Sequence, residues 1–94
     1  MLIKIKCNYE NKHVLLNGKR LYPEKSQKVY NHSPDGFSWG YCGSGCSQIA
    51  LAILLEITDK DIALRNYQLF KEDVISKFPM SFDWDETIDV SEYI

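Results

Sequence analysis

The sequence predicts one small α+β domain, residues 1–94, in which an N-terminal antiparallel β-sheet of three to four strands packs against two α-helices. Apolar and basic residues alternate at the start of the chain, and an Asn-Gly pair then separates two apolar-bearing runs. A nearly continuous apolar segment extends from Cys46 to Ile57. An apolar stripe at helical spacing follows between residues 63 and 78. A chain of this length is typical of a single domain.

The first third of the chain predicts an antiparallel meander. Residues 3–7 alternate with the period of two that is typical of a half-buried strand. The Asn17-Gly18 pair predicts a β-hairpin, because both central positions of its tight turn need a positive φ. Pro23 is expected to end the second hairpin strand, since proline cannot donate to the ladder. We expect a further short strand from Gln27 to Tyr30.

The segment from His32 to Gly45 is rich in glycine and aromatic residues and is the most unusual part of the sequence. Residues 33–36 read Ser-Pro-Asp-Gly, which predicts a tight turn. Phe37, Trp39 and Tyr41 then alternate with small residues. This alternation predicts one more short strand with three aromatic side chains on one face.

Two helices are expected after this segment. Residues 46–57 are apolar on all sides, which indicates a central buried helix. Thr58 is expected to cap a second, amphipathic helix that Pro79 ends. Its apolar stripe consists of Ala63, Tyr67, Phe70, Val74 and Phe78, and its outward positions include Arg65, Lys71 and Glu72. In the tail, Phe82 and Trp84 are expected to pack back on the core, and a short last helix is expected to include residues 88–93.

Charge and cysteine content narrow the class of protein. Residues 1–41 carry seven basic and three acidic residues (+4), and residues 42–94 carry four basic and ten acidic residues (−6), which together give −2. Nucleic-acid binding is not expected, because nucleic-acid binders are usually more basic. No apolar run approaches the ~20 residues of a membrane helix, and the start lacks a signal-peptide pattern, so we expect a cytoplasmic protein without a membrane partner.

Three cysteines, an odd number, predict reduced thiols rather than a disulfide scaffold.

The sequence from residue 32 onward resembles a known family. It reads His-Ser-Pro-Asp-Gly-Phe-Ser-Trp-Gly-Tyr-Cys-Gly-Ser-Gly-Cys-Ser-Gln-Ile-Ala-Leu-Ala. It is similar to the small domain-of-unknown-function proteins numbered 6166, whose pattern is His-Ser-Pro-Asp-Gly-Phe, then Trp-Gly-Tyr-Gly-Gly-Ser-Gly-Pro, then Gln-Leu-Ala-Leu-Ala. Tyr67, Phe70 and Trp84 also fit the resemblance, which covers most of the chain. Cys42 and Cys46 replace the Gly and Pro of the pattern, so neither thiol is expected to carry a family-wide chemistry.

The resemblance implies a fold and an organisation but no activity. Members of the family occur in bacteria, archaea, phages and plasmids, which favours a role connected with mobile elements.

The sequence contains partial signals for a cysteine nucleophile and for a zinc site, and neither is complete enough to predict that chemistry. Residues 41–46 resemble the Cys-Gly-Ser-Cys of papain-like enzymes, with Cys46 close to a helix start that would lower a thiol pKa. One residue is inserted, however, and both histidines lie upstream of the cysteines, whereas the papain layout needs one downstream. A zinc site could combine His32, Cys42 and Cys46 with Asp35, but this spacing is a weak signal. We therefore predict no catalytic residue, no metal and no cofactor, and an enzyme is not favoured.

Two binding hypotheses remain. Gly43-Ser44-Gly45 precedes a helix start, where free backbone N–H groups could receive a phosphate or carboxylate, with Lys19, Arg20 or His32 completing the site. Alternatively, these glycines only shape a turn. The aromatic residues of the preceding segment could form a protein-binding patch, or they could belong to the core.

The leading interpretation is a non-enzymatic protein-interaction module, carried by a phage or plasmid, that modulates or inhibits a larger host defence machine. The alternatives are a small phosphate- or nucleotide-binding domain and, less favoured, a cysteine-dependent enzyme. A protein partner is expected, with a small anion or nucleotide and self-association as alternatives. The candidate binding surface consists of His32, Asp35, Phe37, Trp39, Tyr41, Gly43, Ser44 and Gly45.

Overall fold

A computed structural model describes residues 1–40 and 43–94, and within them it forms a four-stranded antiparallel sheet with helices. The strands are β1 (Leu2–Cys7), β2 (Val14–Leu16), β3 (Lys19–Leu21) and β4 (Trp84–Asp89). The helices are α1 (Glu24–Val29), α2 (Ser44–Ile57) and α3 (Lys60–Asp73), and a 3-10 turn spans Ile75–Lys77. The predicted α+β class, with an antiparallel sheet and two main helices, is confirmed.

The sheet has the strand order β3-β2-β1-β4. Ile3, Ile5 and Cys7 of the central strand β1 are buried, while the residues between them are exposed. One face of the sheet therefore carries the core and the other faces solvent, as the period of two predicts. At Asn17 and Gly18 the φ angles are 51° and 84°, which confirms the predicted hairpin with two positive φ positions.

Helix α2 is the centre of the hydrophobic core. Its residues from Gly45 to Leu54 are all buried, which confirms the predicted central helix. It packs against α1 on one side and α3 on another, and its apolar side chains share one cluster with the inner face of the sheet. Ala63, Tyr67 and Phe70 of α3 are buried, as the apolar stripe predicts.

Two predicted elements, one in the first third of the chain and one at its C-terminal end, are wrong. Residues 27–30 do not form a strand, because α1 covers them up to Val29. Pro23 begins that helix with φ −74°, and its carbonyl accepts hydrogen bonds from Gln27 N (2.9 Å) and Ser26 Oγ (2.7 Å). The predicted last helix at residues 88–93 is also wrong, since β4 extends to Asp89 and pairs along the whole of β1. Pairing with β1 gives the backbone N–H and C=O groups of residues 84–89 hydrogen-bond partners, whereas the end groups of a short helix would depend on water for theirs.

Several local predictions need correction as well. The fourth strand comes from the C-terminus rather than the first third, and residues 37–40 form no strand. Thr58 ends α2, while the neighbouring Asp59 caps α3 by accepting a hydrogen bond from Ile62 N at 2.9 Å. Helix α3 ends at Asp73, before Pro79. Lys71 is buried rather than outward-facing, and Phe82 is exposed rather than packed on the core.

Among the described residues, no helix combines the length and apolar character needed to cross a membrane.

Candidate binding surface

The amide of Gln48 is a buried connection between α2 and the segment that precedes it. Gln48 Oε1 accepts hydrogen bonds from the backbone N–H groups of His32 (2.8 Å) and Ser33 (3.0 Å). Its Nε2 donates to Ser26 Oγ (2.8 Å) and to the Tyr30 carbonyl (3.2 Å). Two acceptor positions and two donors are thus all used. Because Gln48 is fully buried, this network fixes residues 26–33 against the first turns of α2.

The His32 ring lies between two tyrosines. It stacks on Tyr30 with ring centroids 4.2 Å apart, and its Nε2 lies 2.6 Å from the Tyr67 hydroxyl. Burial, together with the nearby Lys71 ammonium, lowers the pKa of His32 below its usual value. The ring is therefore held as a neutral imidazole near neutral pH, a state that suits a hydrogen bond with a hydroxyl group.

The predicted turn at residues 33–36 is confirmed. Gly36 N donates to the Ser33 carbonyl at 3.1 Å, and Gly36 has a φ of 104°. Asp35 is exposed at the turn. Phe37 and Trp39 beyond it are 7% and 2% exposed, so these two aromatic residues belong to the core. Tyr41 and Cys42, which the sequence analysis placed on the candidate surface and in a zinc site, lie outside the described residues.

The Gly43-Ser44-Gly45 segment begins α2. Gly43 is the capping position with an extended backbone, and Ser44 is exposed. Gly45 is buried against Ser38, and a Cβ added to Gly45 would overlap the Ser38 side chain and come within 2.9 Å of the Ser38 backbone nitrogen. The packing of Ser38 therefore requires glycine at position 45, since a residue without a Cβ is needed for this close approach.

The two cysteines within residues 1–40 and 43–94 are inaccessible, and Cys42 lies outside that part of the chain. Cys46 and Cys7 are both buried, and burial raises the pKa of the Cys7 thiol. A buried thiol held in its protonated form is a poor nucleophile. Within residues 1–40 and 43–94, no three histidine, cysteine, aspartate or glutamate side chains lie together as a metal site would need.

An exposed apolar patch, which the sequence patterns did not predict, lies where the loop between the 3-10 turn and β4 meets the turn after β1. We call Tyr9, Met80 and Phe82 the loop patch. Their side chains are 39%, 59% and 65% exposed. Between the Asn8–Glu10 turn and the Ser81–Asp83 segment lies a depression of about 330 Å³.

The loop patch stands on a fixed support. The buried Trp39 indole N–H donates to the Phe82 carbonyl at 3.1 Å, and Tyr9 N donates to Asp83 Oδ1 at 2.6 Å. Gly40, with a φ of 83°, lies so close to Met80 that an added Cβ would be 2.6 Å from its Cα. The backbone under the exposed side chains is therefore tied to the core at Trp39 and held against neighbouring loops at Gly40 and Tyr9.

Aromatic and charged groups surround the loop patch. Phe78 and Trp84 stack with centroids 3.3 Å apart, and Trp84 meets Trp39 edge-on at 6.4 Å. The Lys12 ammonium lies 3.6 Å from the Tyr9 ring centroid, a cation–π contact. The patch thus combines an aromatic base, exposed apolar side chains and a charged rim.

A family comparison covers most of the chain. The model described as "Family of unknown function (DUF6166)" matches residues 6–94. The chain belongs to this family. No curated protein and no solved structure matches the chain.

In this DUF6166 protein, the residues that carry the family resemblance have structural roles, because they hold the segment before α2 against that helix. His32 and Ser33 donate to Gln48, Gly36 makes the turn, and Gly45 admits Ser38. The sequence could not show that these residues contact one another, because they lie up to 16 positions apart. The loop patch, by contrast, had a readable signal. Met80 and Phe82 follow Pro79 in a short segment that fits neither a helix nor a strand pattern, where apolar side chains have no regular face to bury.

Proposed function

We propose that this DUF6166 protein is a non-enzymatic protein-interaction module and that the loop patch is its binding surface. The observation that carries the proposal is the exposure of Phe82, 65%, on a backbone whose carbonyl is held by the buried Trp39. Exposed aromatic and methionine side chains are enriched at protein interfaces. A fixed backbone also loses little conformational entropy when a partner binds, which favours association.

The chemistry around the patch supports a protein partner. Lys12 lies over the Tyr9 ring, and Glu10 and Asp83 line the depression, so charges of both signs lie near the apolar centre. Such a surface fits a partner with an apolar pocket that receives Phe82 and a polar rim around it. The proposed partner is a protein component of a larger host machine, which a phage- or plasmid-encoded chain of this size would modulate by occupying one surface.

Affinity enrichment with matched variants tests this function. The double variant Met80→Ser/Phe82→Ser removes the apolar centre, and Leu69→Ser removes a side chain of α3 that is 51% exposed elsewhere. We expect a partner retained in defined stoichiometry by the wild-type chain and Leu69→Ser to be lost with the double variant. Circular dichroism spectra of the variants provide the folding control.

Two outcomes would contradict the proposal. In one, every protein retained by the wild-type chain is retained equally by the double variant. In the other, sedimentation shows that the patch mediates association of the chain with itself, which assigns the surface to a homo-oligomer instead.

A further inference from the structure

The strand β4 is an open edge of the sheet. It is the last strand in the order β3-β2-β1-β4, and its extensive contacts are with β1. The register between the two strands is continuous over all six residues of β4, so this strand is regular along its whole length. A regular edge strand presents a row of backbone N–H and C=O groups that can pair with a strand of another chain.

The hydrogen bonds of β1 show which backbone groups of β4 are open. Asn17 N donates to the Lys4 carbonyl at 2.8 Å, and Lys4 N donates to Asn17 Oδ1 at 2.9 Å, so the backbone groups of Lys4 face β2. Because this direction alternates along a strand, residues 3, 5 and 7 face β4, where residues 88, 86 and 84 lie opposite them. The N–H and C=O groups of Asp85, Thr87 and Asp89 therefore point away from β1.

The exposed side chains along β4 are acidic. Asp85, Glu86 and Asp89 are exposed, and residues 83–94 contain no basic residue. In the part of the chain that the structure describes, Asp85 and Glu86 form no ion pair, although Lys6 lies opposite Asp85 in β1. Two copies of β4 placed edge to edge would bring like charges together, which disfavours pairing of this edge with itself. A basic segment would instead place its cations beside these carboxylates.

The open edge continues into the loop patch. Phe82 lies two residues before the start of β4, and the intervening Asp83 accepts a hydrogen bond from Tyr9 N, which joins this end of the strand to the patch. The depression of about 330 Å³ lies at the same end. A segment paired with Asp85 needs about three further residues, at roughly 3.3 Å each, to reach Phe82. One extended segment can therefore contact both the strand edge and the loop patch.

We propose that the outer edge of β4 binds an extended, basic segment of a partner protein, which joins the sheet as a fifth strand and extends over the loop patch. The open backbone groups supply the hydrogen bonds, as in other complexes formed by strand addition. Asp85 shares the face of the exposed Lys6, whereas Glu86 shares that of the buried Ile5. Acidic groups thus lie on both faces of the edge, and they fit lysine or arginine at neighbouring positions of the segment. This inference rests on the proposed function, because it names the chemistry of the partner that the loop patch binds.

A synthetic peptide tests the edge without the partner. The peptide is Lys-Lys-Thr-Lys-Thr-Lys-Lys with blocked ends, and it is titrated into the full chain at constant ionic strength while amide NMR shifts and hydrogen exchange are followed. We expect saturable shifts centred on Asp85 and Thr87, with slower exchange of their N–H groups, because these groups gain acceptors. The same peptide with glutamate in place of lysine should not bind. The lysine peptide with every backbone amide methylated keeps its charges but cannot donate, so it should bind about tenfold more weakly or less.

Variants of the chain separate the backbone from the charges. Thr87→Pro removes an N–H that points away from β1, so it should leave the sheet intact and weaken binding of the lysine peptide about fivefold. Thr87→Val keeps this N–H and should retain binding. Asp85→Asn/Glu86→Gln removes two charges at the edge and should also weaken binding. Asp61→Asn/Glu72→Gln removes two exposed charges of α3 and should have little effect.

Affinity enrichment from a host extract distinguishes failure of the strand edge from failure of the loop patch. If Thr87→Pro retains the partner while Met80→Ser/Phe82→Ser loses it, the edge is overturned and the loop patch stands. If Thr87→Pro loses the partner while the loop variant retains it, the edge stands and the loop patch is contradicted. Should Thr87→Pro not fold, Asp85→Asn/Glu86→Gln takes its place in these comparisons.

Three peptide results would also overturn the strand edge. In the first, the lysine peptide produces no saturable shifts in β4. In the second, its methylated form binds equally well. In the third, the N–H groups of Asp85 and Thr87 become protected as the concentration of the chain alone rises, which assigns the edge to a second copy.

Discussion

Replacing Gln48 with methionine removes every hydrogen bond of the buried amide while nearly preserving side-chain volume. Two backbone N–H groups, at His32 and Ser33, lose their acceptor. The Tyr30 carbonyl and the Ser26 hydroxyl lose a donor. The Ser26 hydroxyl still donates to the Pro23 carbonyl, so it loses only the hydrogen bond that it accepts. The substitution therefore isolates the connection between α2 and the segment before it.

The expected cost follows from these contacts. Each hydrogen bond contributes about 0.5–1.5 kcal/mol net, and a buried group left without a partner costs about 1–3 kcal/mol. Residues 32 and 33 are half-buried, so water can hydrate part of what they lose. We therefore expect Gln48→Met to lower the free energy of unfolding by about 3–5 kcal/mol. A domain of this size has roughly 5–14 kcal/mol in total, so the loss is a large fraction.

Urea denaturation followed by circular dichroism measures this loss, and amide hydrogen exchange locates it. Exchange at residues 32 and 33 should accelerate more than exchange in β1. Ser47→Ala is the matched control, because the neighbouring Ser47 makes one long 3.4 Å bond, and it should cost under about 1 kcal/mol. The reasoning is refuted if Gln48→Met costs no more than the control, or if exchange at residues 32 and 33 does not change.

Two further predictions concern the support of the loop patch and the C-terminus. Gly40→Ala should lower the free energy of unfolding by about 3 kcal/mol, because it adds a clash with the Met80 backbone to the strain of a positive φ. Gly18 has a similar φ but open space around it, so Gly18→Ala should cost only about 1–2 kcal/mol in the same thermal denaturation. Equal losses from the two substitutions would refute the close approach of Gly40 to Met80. Burial, with the hydrogen bond to Asp73, raises the pKa of Tyr93 from 10.0 to about 12. As the pH rises, the unfolded chain therefore releases the Tyr93 proton before the folded chain does. The free energy of unfolding of the wild-type protein should fall between pH 10 and pH 12. Tyr93→Phe should flatten stability in that window, and an unchanged pH slope would contradict this.

Much of the fold is readable from the sequence because it depends on local patterns. The alternation in β1, the Asn17-Gly18 turn and the apolar length of α2 each dictate an element without reference to distant residues. The errors occur where tertiary contacts decide. Residues 84–89 become a strand because β1 offers a full set of backbone partners, and residues 24–29 become a helix that packs against α2.

The candidate site shows the same division. Its turn at residues 33–36 follows from local chemistry, and the apolar pattern that begins at Cys46 predicts the helix, which starts two residues earlier, at Ser44. The role of Gln48 depends on contacts with residues 15–22 positions earlier, which no local pattern indicates. The burial of Lys71 is equally invisible, because a lysine between apolar stripe positions normally extends into solvent. The exposure of Phe82 contradicts the expectation that a small domain buries its aromatic residues, although the irregular segment after Pro79 offers this side chain no regular face to bury.

Photocrosslinking from position 82 tests the proposed function most directly. A photoreactive phenylalanine analogue replaces Phe82 in one chain and Leu69 in another, since both positions are exposed and apolar but only Phe82 belongs to the loop patch. The proposal predicts a discrete crosslinked protein species from position 82 that position 69 does not give and that excess unlabelled wild-type chain competes away. Identical crosslinking from both positions, or none from position 82 in any host extract, would contradict it.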